Sequence, residues 1–256
     1  MPLDGLSQGD PHAALRAAGR AAALSVELAP LSAEARIARA LTHPLSGPLA
    51  LVSSFGAEAV VLLRLVAREA PDTPVLFLDT GMHFAETLTY QREVAELFGL
   101  SDLRIVRPDD AQIAAQDPGG LLHKVDADAC CALRKVRPLA AALQGFDGWF
   151  TGRKRFQSRR RADLAFVEAD GSRLKFNPLA DWTPDQIAAD IAAHNLPRHP
   201  LVAQGYPSIG CAPCTARPSP GADARAGRWA GQNKDECGIH LENGRIVRRP
   251  SGAATP

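Results

Sequence analysis

Leu49-Ala50-Leu51-Val52-Ser53-Ser54-Phe55-Gly56-Ala57-Glu58-Ala59-Val60-Val61-Leu62 is the stretch whose reading decides the fold. Its apolar start, Leu49–Val52, predicts a short buried strand, and the run AEAVVLLRLVAREA from Ala57 to Ala70 predicts a helix. Between them lies a turn of small residues, Ser53-Ser54-Phe55-Gly56. Such a turn lets backbone N–H groups approach an anion at a helix N-terminus. It lacks the lysine of a Walker A loop, which disfavours a P-loop nucleotide triphosphatase. Taken alone, it is equally a plain strand–helix connection.

Downstream the unit repeats. Pro74–Leu78 predicts a second strand, ending in Asp79-Thr80-Gly81, and a helix follows from about Phe84 to Phe98. Leu103–Val106 predicts a third strand. Alternating strands and helices imply a parallel sheet covered on both faces, with ligand sites at the strand C-termini. The SSFG and DTG turns should then lie side by side at that edge, although Asp79 reads equally as a strand-end cap. Upstream, Pro11–Thr42 predicts two helices broken at Pro30, with Ser32 as N-cap of the second, and Gly47-Pro48 ends them.

Residues 109–127 read as a polar connection with a Pro-Gly-Gly break, and a helix is expected from Cys130 to about Leu143. Trp149-Phe150 predicts a strand leading through Thr151-Gly152 into Arg153–Arg161, where six of nine residues are basic. A solvated charge run is the ordinary reading. Its place after a strand end suits a phosphate or sulfate ligand instead. Leu164–Val167 and Arg173–Phe176 predict a hairpin around Asp170-Gly171, and Thr183-Pro184 opens a further helix. Beyond about Ala216 apolar periodicity is lost, which predicts a mobile tail. Three parts are therefore expected: an N-terminal helical segment (1–46), an α/β domain (47–215) and the tail (216–256).

A length of 256 residues, 46% hydrophobic and 22% charged, suits a globular chain with a real core. Net charge of +1 gives no global pull towards nucleic acid or membrane, so any anion site must be local. No apolar run reaches the ~18 residues needed to cross a bilayer. The start, MPLDGLSQGD, shows no secretory signal pattern, and a cytoplasmic location is expected.

Four of the five cysteines come as tight pairs, Cys130-Cys131 and Cys211-x-x-Cys214. Four thiolates suffice for zinc or an iron–sulfur cluster. Neighbouring side chains diverge, so both members of the adjacent pair reaching one small ion would strain the backbone. That geometry favours iron–sulfur over zinc; structural thiols and a redox disulfide at Cys211/Cys214 stay as alternatives. The fifth, Cys237, sits in Lys234-Asp235-Glu236-Cys237-Gly238-Ile239-His240 and reads as exposed and able to move. Lys234 and His240 favour its thiolate, while Asp235 and Glu236 oppose it. It is either a nucleophile or a surface cysteine.

CCALRKVRPL, GCAPCT, AGRW and ECGIH, with SSFG, LDTG and TGRKRFQS upstream, resemble the assimilatory adenylyl-sulfate (APS) reductases of bacteria. The similar 3′-phosphoadenylyl-sulfate (PAPS) reductases share the upstream set and ECGIH but usually lack the cysteine pairs. The resemblance runs from about Leu49 to His240. It implies an adenine nucleotide alpha-hydrolase-like (PP-loop type) α/β fold, a 4Fe-4S cluster and thioredoxin as electron donor. It matches Cys130, Cys131, Cys211 and Cys214 to cluster ligands, Lys135 to a lysine between cluster and sulfate, and Cys237 to the nucleophile. Ser53, Ser54 and Gly56 match the pyrophosphate-type loop, and Asp79, Thr80 and Gly81 the turn beside adenosine. Gly152 and Arg161 fall in the arginine loop, and Arg225 and Arg228 match arginines that meet the phosphosulfate. His240 is a further candidate, for orienting or ionising the thiol.

Two departures matter. SSFGAEA lacks the extra acidic residue of some APS reductases and is nearer the PAPS wording. SRRRAD leaves Arg159, Arg160 and Arg161 interchangeable by one position. The expected reaction is APS to sulfite and AMP through an S-sulfocysteine on Cys237. The rivals are PAPS reduction, a sulfur-moving tRNA-modifying enzyme of the same fold, and a zinc-stabilised nucleic-acid binder using residues 153–161. Homo-oligomeric assembly is expected; neither nucleic acid nor membrane is expected as a partner.

Overall fold

A computed structural model of the chain describes residues 11–231, 234 and 236–240. Helices α1 (Pro11–Leu28) and α2 (Ala33–Thr42) come first, and the Ser32 hydroxyl caps α2 by accepting from the Ala35 N–H. The expected alternation follows: β1 (Leu49–Ser53), α3 (Ala59–Glu69), β2 (Val75–Leu78), α4 (Ala85–Leu97) and β3 (Leu103–Val106). The polar connection is more ordered than expected, holding α5 (Asp110–Gln116) and α6 (Leu122–Val125). Next, α7 (Ala127–Cys131), a π-helical turn (Ala132–Val136) and α8 (Arg137–Ala142) form one continuous helical run. The chain continues through β4 (Gly148–Phe150), β5 (Val167–Asp170), β6 (Arg173–Phe176), α9 (Pro184–Ala193) and α10 (Pro200–Ala203).

The hairpin around Asp170-Gly171 is present, but its first strand is Val167–Asp170, not Leu164–Val167. Leu164 and Phe166 pack with Ala180 in a buried cluster of their own. Their apolar side chains are spent there.

Among the described residues six strands form one sheet in the order β3-β2-β1-β4-β6-β5, parallel except for β5. Side-chain alternation divides its two faces. Leu49, Leu51, Val75 and Phe77 face a large core built with α1, α2, α3, α4 and α9. Ala50, Leu76, Leu78 and Trp149 face the other way, onto Leu139 of α8 and the adjoining Leu143. The second face is thin, and the helical run that covers it carries Cys130, Cys131 and Lys135.

From β1 the chain winds outward through β2 to β3, then returns to place β4 on the other side of β1. That reversal opens a crevice at the C-terminal ends of β1 and β4, the usual ligand position in such sheets. Ser53-Ser54 and Thr151-Gly152 border it. The DTG turn ends β2, the strand paired with β1, so it lies beside SSFG as expected, but on the side of β1 away from the crevice. No described helix is long and apolar enough to cross a membrane.

Candidate active site

The crevice holds a cavity of about 240 Å³. Of the residues singled out in the sequence, Ser53, Ser54, Gly56, Lys135, Gly152, Arg161, Arg225, Arg228 and Cys237 line it. They come from four separate chain segments. Phe55, between Ser54 and Gly56, takes a left-handed φ of 48°, and its N–H donates to the Ser53 hydroxyl at 3.2 Å. Its buried ring meets Phe77 edge-on at 5.5 Å. The core therefore holds a backbone shape that costs a non-glycine residue energy, as is common at functional sites.

The basic run resolves into individual tasks. Lys154 is buried and donates to Glu58 at 2.7 Å, Arg153 pairs with Glu168, and Arg155 bonds the Leu164 carbonyl. Arg159 and Arg160 are exposed, whereas Arg161 is buried on the cavity wall. Of the three arginines in SRRRAD, only Arg161 lies on the cavity wall.

Cys237 was expected to be exposed. It is instead buried, packed with Cys131 and Trp229 and flanked by Cys214 and Ile239. The segment folds back because the C-x-x-C loop and the AGRW stretch pair: Ala216 N–H donates to the Gly227 carbonyl and Trp229 N–H to that of Cys214. Gly227 is required for the approach, since a Cβ there would stand 1.9 Å from the Ala216 oxygen. Trp229 takes φ 52°, and Arg228, Lys234 and Arg225 stand 4.6, 5.9 and 6.0 Å from its ring.

The Cys237 thiol is held well below the usual cysteine range. A hydrogen bond from Cys131 comes first; burial opposes; Lys135, the Ile239 N–H and Arg228 add to the lowering. Were Cys131 bound to a metal it would have no proton to give, and the two cations and the N–H would remain. Lys135 is held above the usual lysine range: burial works against its charge, and the sulfurs of Cys237, Cys211 and Cys131 outweigh it. The π-helical turn places Lys135 in the cavity while Arg134, next to it, points inward. Arg134 donates to Asp117 at 2.7 Å and to the Thr80 carbonyl at 2.9 Å. The Nε of Arg228 is buried without a hydrogen-bond partner among the described residues.

Asp79, Thr80 and Gly81 do not reach the cavity wall. Asp79 accepts from the Gly81 N–H and pairs with Arg107 at 3.0 Å. The buried Thr80 hydroxyl lies 3.3 Å from the Cys211 sulfur, so this turn serves the cysteines. His240 ends a short 3-10 turn, Gly238–His240, and its side chain lies outside the described residues.

All five cysteines are free thiols. Cys130 is pushed up to about 11 by burial, with Arg134 opposing and Cys211 and Cys214 adding. Cys131 packs in the same group as Cys214. The two pairs thus converge from separate segments. Among the described residues no three Cys, His, Asp or Glu side chains are grouped to hold one metal ion. The donor set, four thiols in two pairs with Thr80 beside one, fits a multi-iron cluster in its chemistry, since thiolates bind such clusters and shed protons on binding.

Several cavity residues carried no local signal. Glu58 accepts from both Lys154 and Gln157, and Glu236 accepts from Arg161. His83 donates Nε2–H to the Leu78 carbonyl at 2.8 Å and is held below the usual histidine range by burial first, with Lys135 and Arg228 contributing. Only the assembled fold brings them to one place.

Residues 48–217 match the family described as phosphoadenosine phosphosulfate reductase domain. The chain is 50% identical over 240 residues to an adenosine 5′-phosphosulfate reductase of Mesorhizobium japonicum, covering 94% of this chain and 93% of that one. A protein of the same name from a Chelativorans species is 53% identical over 195 residues, covering 76% and 80%. Among solved structures, a phosphoadenylyl-sulfate reductase from Candida auris, in a phosphate complex, superposes with a TM-score of 0.65 at 27% identity. It covers 77% of this chain and 96% of that one.

Proposed function

The chain belongs to the phosphoadenosine phosphosulfate reductase domain family, and from that premise we propose that it reduces adenylyl sulfate to sulfite and AMP. One observation carries the reading: Cys237 sits on the wall of the same cavity as Lys135, Arg225, Arg228 and the Ser53–Gly56 turn. A thiolate and a set of cations around one anion-sized space suit nucleophilic attack on a sulfuryl group.

The Cys237 thiolate attacks the sulfur of APS, the bond from sulfur to the phosphate oxygen breaks, and AMP leaves with the electron pair. Sulfate resists anionic nucleophiles because its oxygens repel them. Lys135, Arg225 and Arg228 offset that repulsion and the charge building on the leaving phosphate. The product is an S-sulfocysteine. A dithiol reductant, thioredoxin, then attacks the Cys237 sulfur, releases sulfite and ends as its own disulfide, so two electrons balance.

Cys130, Cys131, Cys211 and Cys214 would hold a 4Fe-4S cluster, which when bound joins the two cysteine segments and sets the charge beside Lys135. Ser53, Ser54, Gly56, Gly152 and Arg161 bind the nucleotide, and the enzyme works in the cytoplasm.

The test is sulfite release from APS and PAPS side by side on anaerobically purified protein, with iron and acid-labile sulfide measured on the same sample. Turnover of APS above PAPS, a sulfo adduct on Cys237, and loss of both in Cys237→Ser support the reading. Turnover by Cys237→Ser overturns it.

A further inference from the structure

Glu236 precedes Cys237, and its carboxylate is turned inward. Arg161 donates to it through Nε at 2.6 Å and Nη2 at 2.7 Å, and Arg225 Nη2 stands 3.7 Å away. Side-chain exposure is 8% for Arg161 and 15% for Glu236, so the pair is shielded from water and salt. Arg161 is braced from behind. Its Nη1 donates to Gln157, and Gln157 Nε2 donates to Glu58 at 2.9 Å, beside the β1 turn. The arginine is therefore a post belonging to the α/β domain, and the carboxylate belongs to the segment bearing the thiol. A two-bond fork of this kind fixes direction as well as distance.

The other packing neighbours of Cys237 are Cys131, Cys214, Trp229 and Ile239; the Cys131 thiol and the Ile239 N–H also hydrogen-bond its sulfur, but neither ties the segment to the α/β domain through Arg161. Three residues back, Lys234 donates to Asp128 of α7 on the cysteine side of the cavity. The segment is thus tied ionically to both walls, and the Glu236 tie is adjacent to the reacting residue. Yet Cys237 is only 9% exposed, so a reductant protein has no path to its sulfur while both ties hold.

We propose that Glu236 is a positioning residue: clamped by Arg161, it holds the Cys237 thiol over the cavity for attack, and release of that clamp gives Cys237 to the reductant. The chemistry it serves rests on the reductase reading above; the clamp itself does not.

The experiment compares wild type, Glu236→Gln and Glu236→Asp as anaerobically purified full chains. Three quantities are measured: alkylation of each cysteine by iodoacetamide, by peptide mass mapping; the thermal melting midpoint; and single-turnover adduct formation on Cys237 with APS. In Glu236→Gln, Cys237 alkylation rises about tenfold or more and adduct formation slows by a similar factor, the scale expected when a reacting group loses its alignment. Alkylation of the other four cysteines and the thermal melting midpoint stay unchanged, which a general loss of structure would not allow. Glu236→Asp keeps the charge with a shorter reach and falls between, and it decides the matter should Glu236→Gln fail to fold. Equal Cys237 alkylation in wild type and the variants overturns the clamp, as does faster alkylation with unaltered adduct formation. If the wild type forms no adduct from APS or PAPS, the reductase reading falls, while the alkylation comparison still judges the clamp.

Discussion

The guanidinium of Arg228 lies where a side chain of Gly210 would be: a Cβ on Gly210 would stand 2.1 Å from Arg228 Nη2 and 2.5 Å from its Cζ. Gly210 precedes the first cysteine of the C-x-x-C loop, so the loop that supplies two thiols also makes room for an anion-binding arginine. Gly210→Ala should therefore expel Arg228 from the cavity. The expected result is a loss of roughly a hundredfold in kcat/KM for APS, the scale of removing one preorganised charge stabiliser. Thermal melting should barely move. Steady-state kinetics beside a melting curve checks it.

Gly227→Ala acts on the docking of the Cys237 segment. With the Ala216 oxygen 1.9 Å from the new Cβ, the pairing of residues 214–216 with 227–229 cannot close. Trp229 should then leave its buried position, and its fluorescence should shift to the red, while hydrogen exchange in β1 and β2 stays as slow as in wild type.

Lys154 has 2% of its side chain exposed and pairs with Glu58 at 2.7 Å. Removing the carboxylate alone leaves a buried ammonium without its counter-charge, so Glu58→Ala should destabilise the fold by about 3–5 kcal/mol. The double variant Glu58→Leu/Lys154→Met should recover most of that loss. Denaturant titrations of the single and double variants test the coupling.

Acid stability should depend on His199. Its ring is buried, Nε2 lies 3.0 Å from the Thr87 hydroxyl, and Nδ1 accepts from the Leu201 N–H at 3.2 Å. Burial pulls it from 6.5 down to about 4, with Glu86 opposing. The folded state keeps the ring neutral while the unfolded chain binds a proton below 6.5. Stability is therefore full above that pH and is lost as pH falls from 6.5 towards 4. Between pH 7 and pH 5 the loss should be about 2 kcal/mol. His199→Gln should flatten that limb in denaturant titrations at the two pH values, though it lowers stability at pH 7.

The parallel sheet was legible because the inner strands Leu49–Ser53 and Val75–Leu78 are apolar runs bounded by small or charged residues. So was α9, expected from Thr183-Pro184; its Thr183 hydroxyl and Gln186 amide form a capping box. The α5 helix was not, because none of its residues is buried and no apolar periodicity marks it. The cysteine pairs and the basic loop announced a site by residue type alone. Its closure did not: the burial of Cys237 depends on Trp229 at φ 52° and on pairing between residues 215 and 228, which no local pattern encodes. The ion pairs of Glu58 and Glu236 were unreadable for the same reason, since their partners, Lys154 and Arg161, lie far along the chain.

The sheet's unequal covering has a practical consequence. The five-helix face carries most of the apolar packing, whereas the reactive residues lie on the lightly clad side and on a segment pinned to it. Oxidation of the Cys237 sulfur would leave a protein whose five-helix core is packed as before while turning over nothing. Quality control by shape alone would pass it.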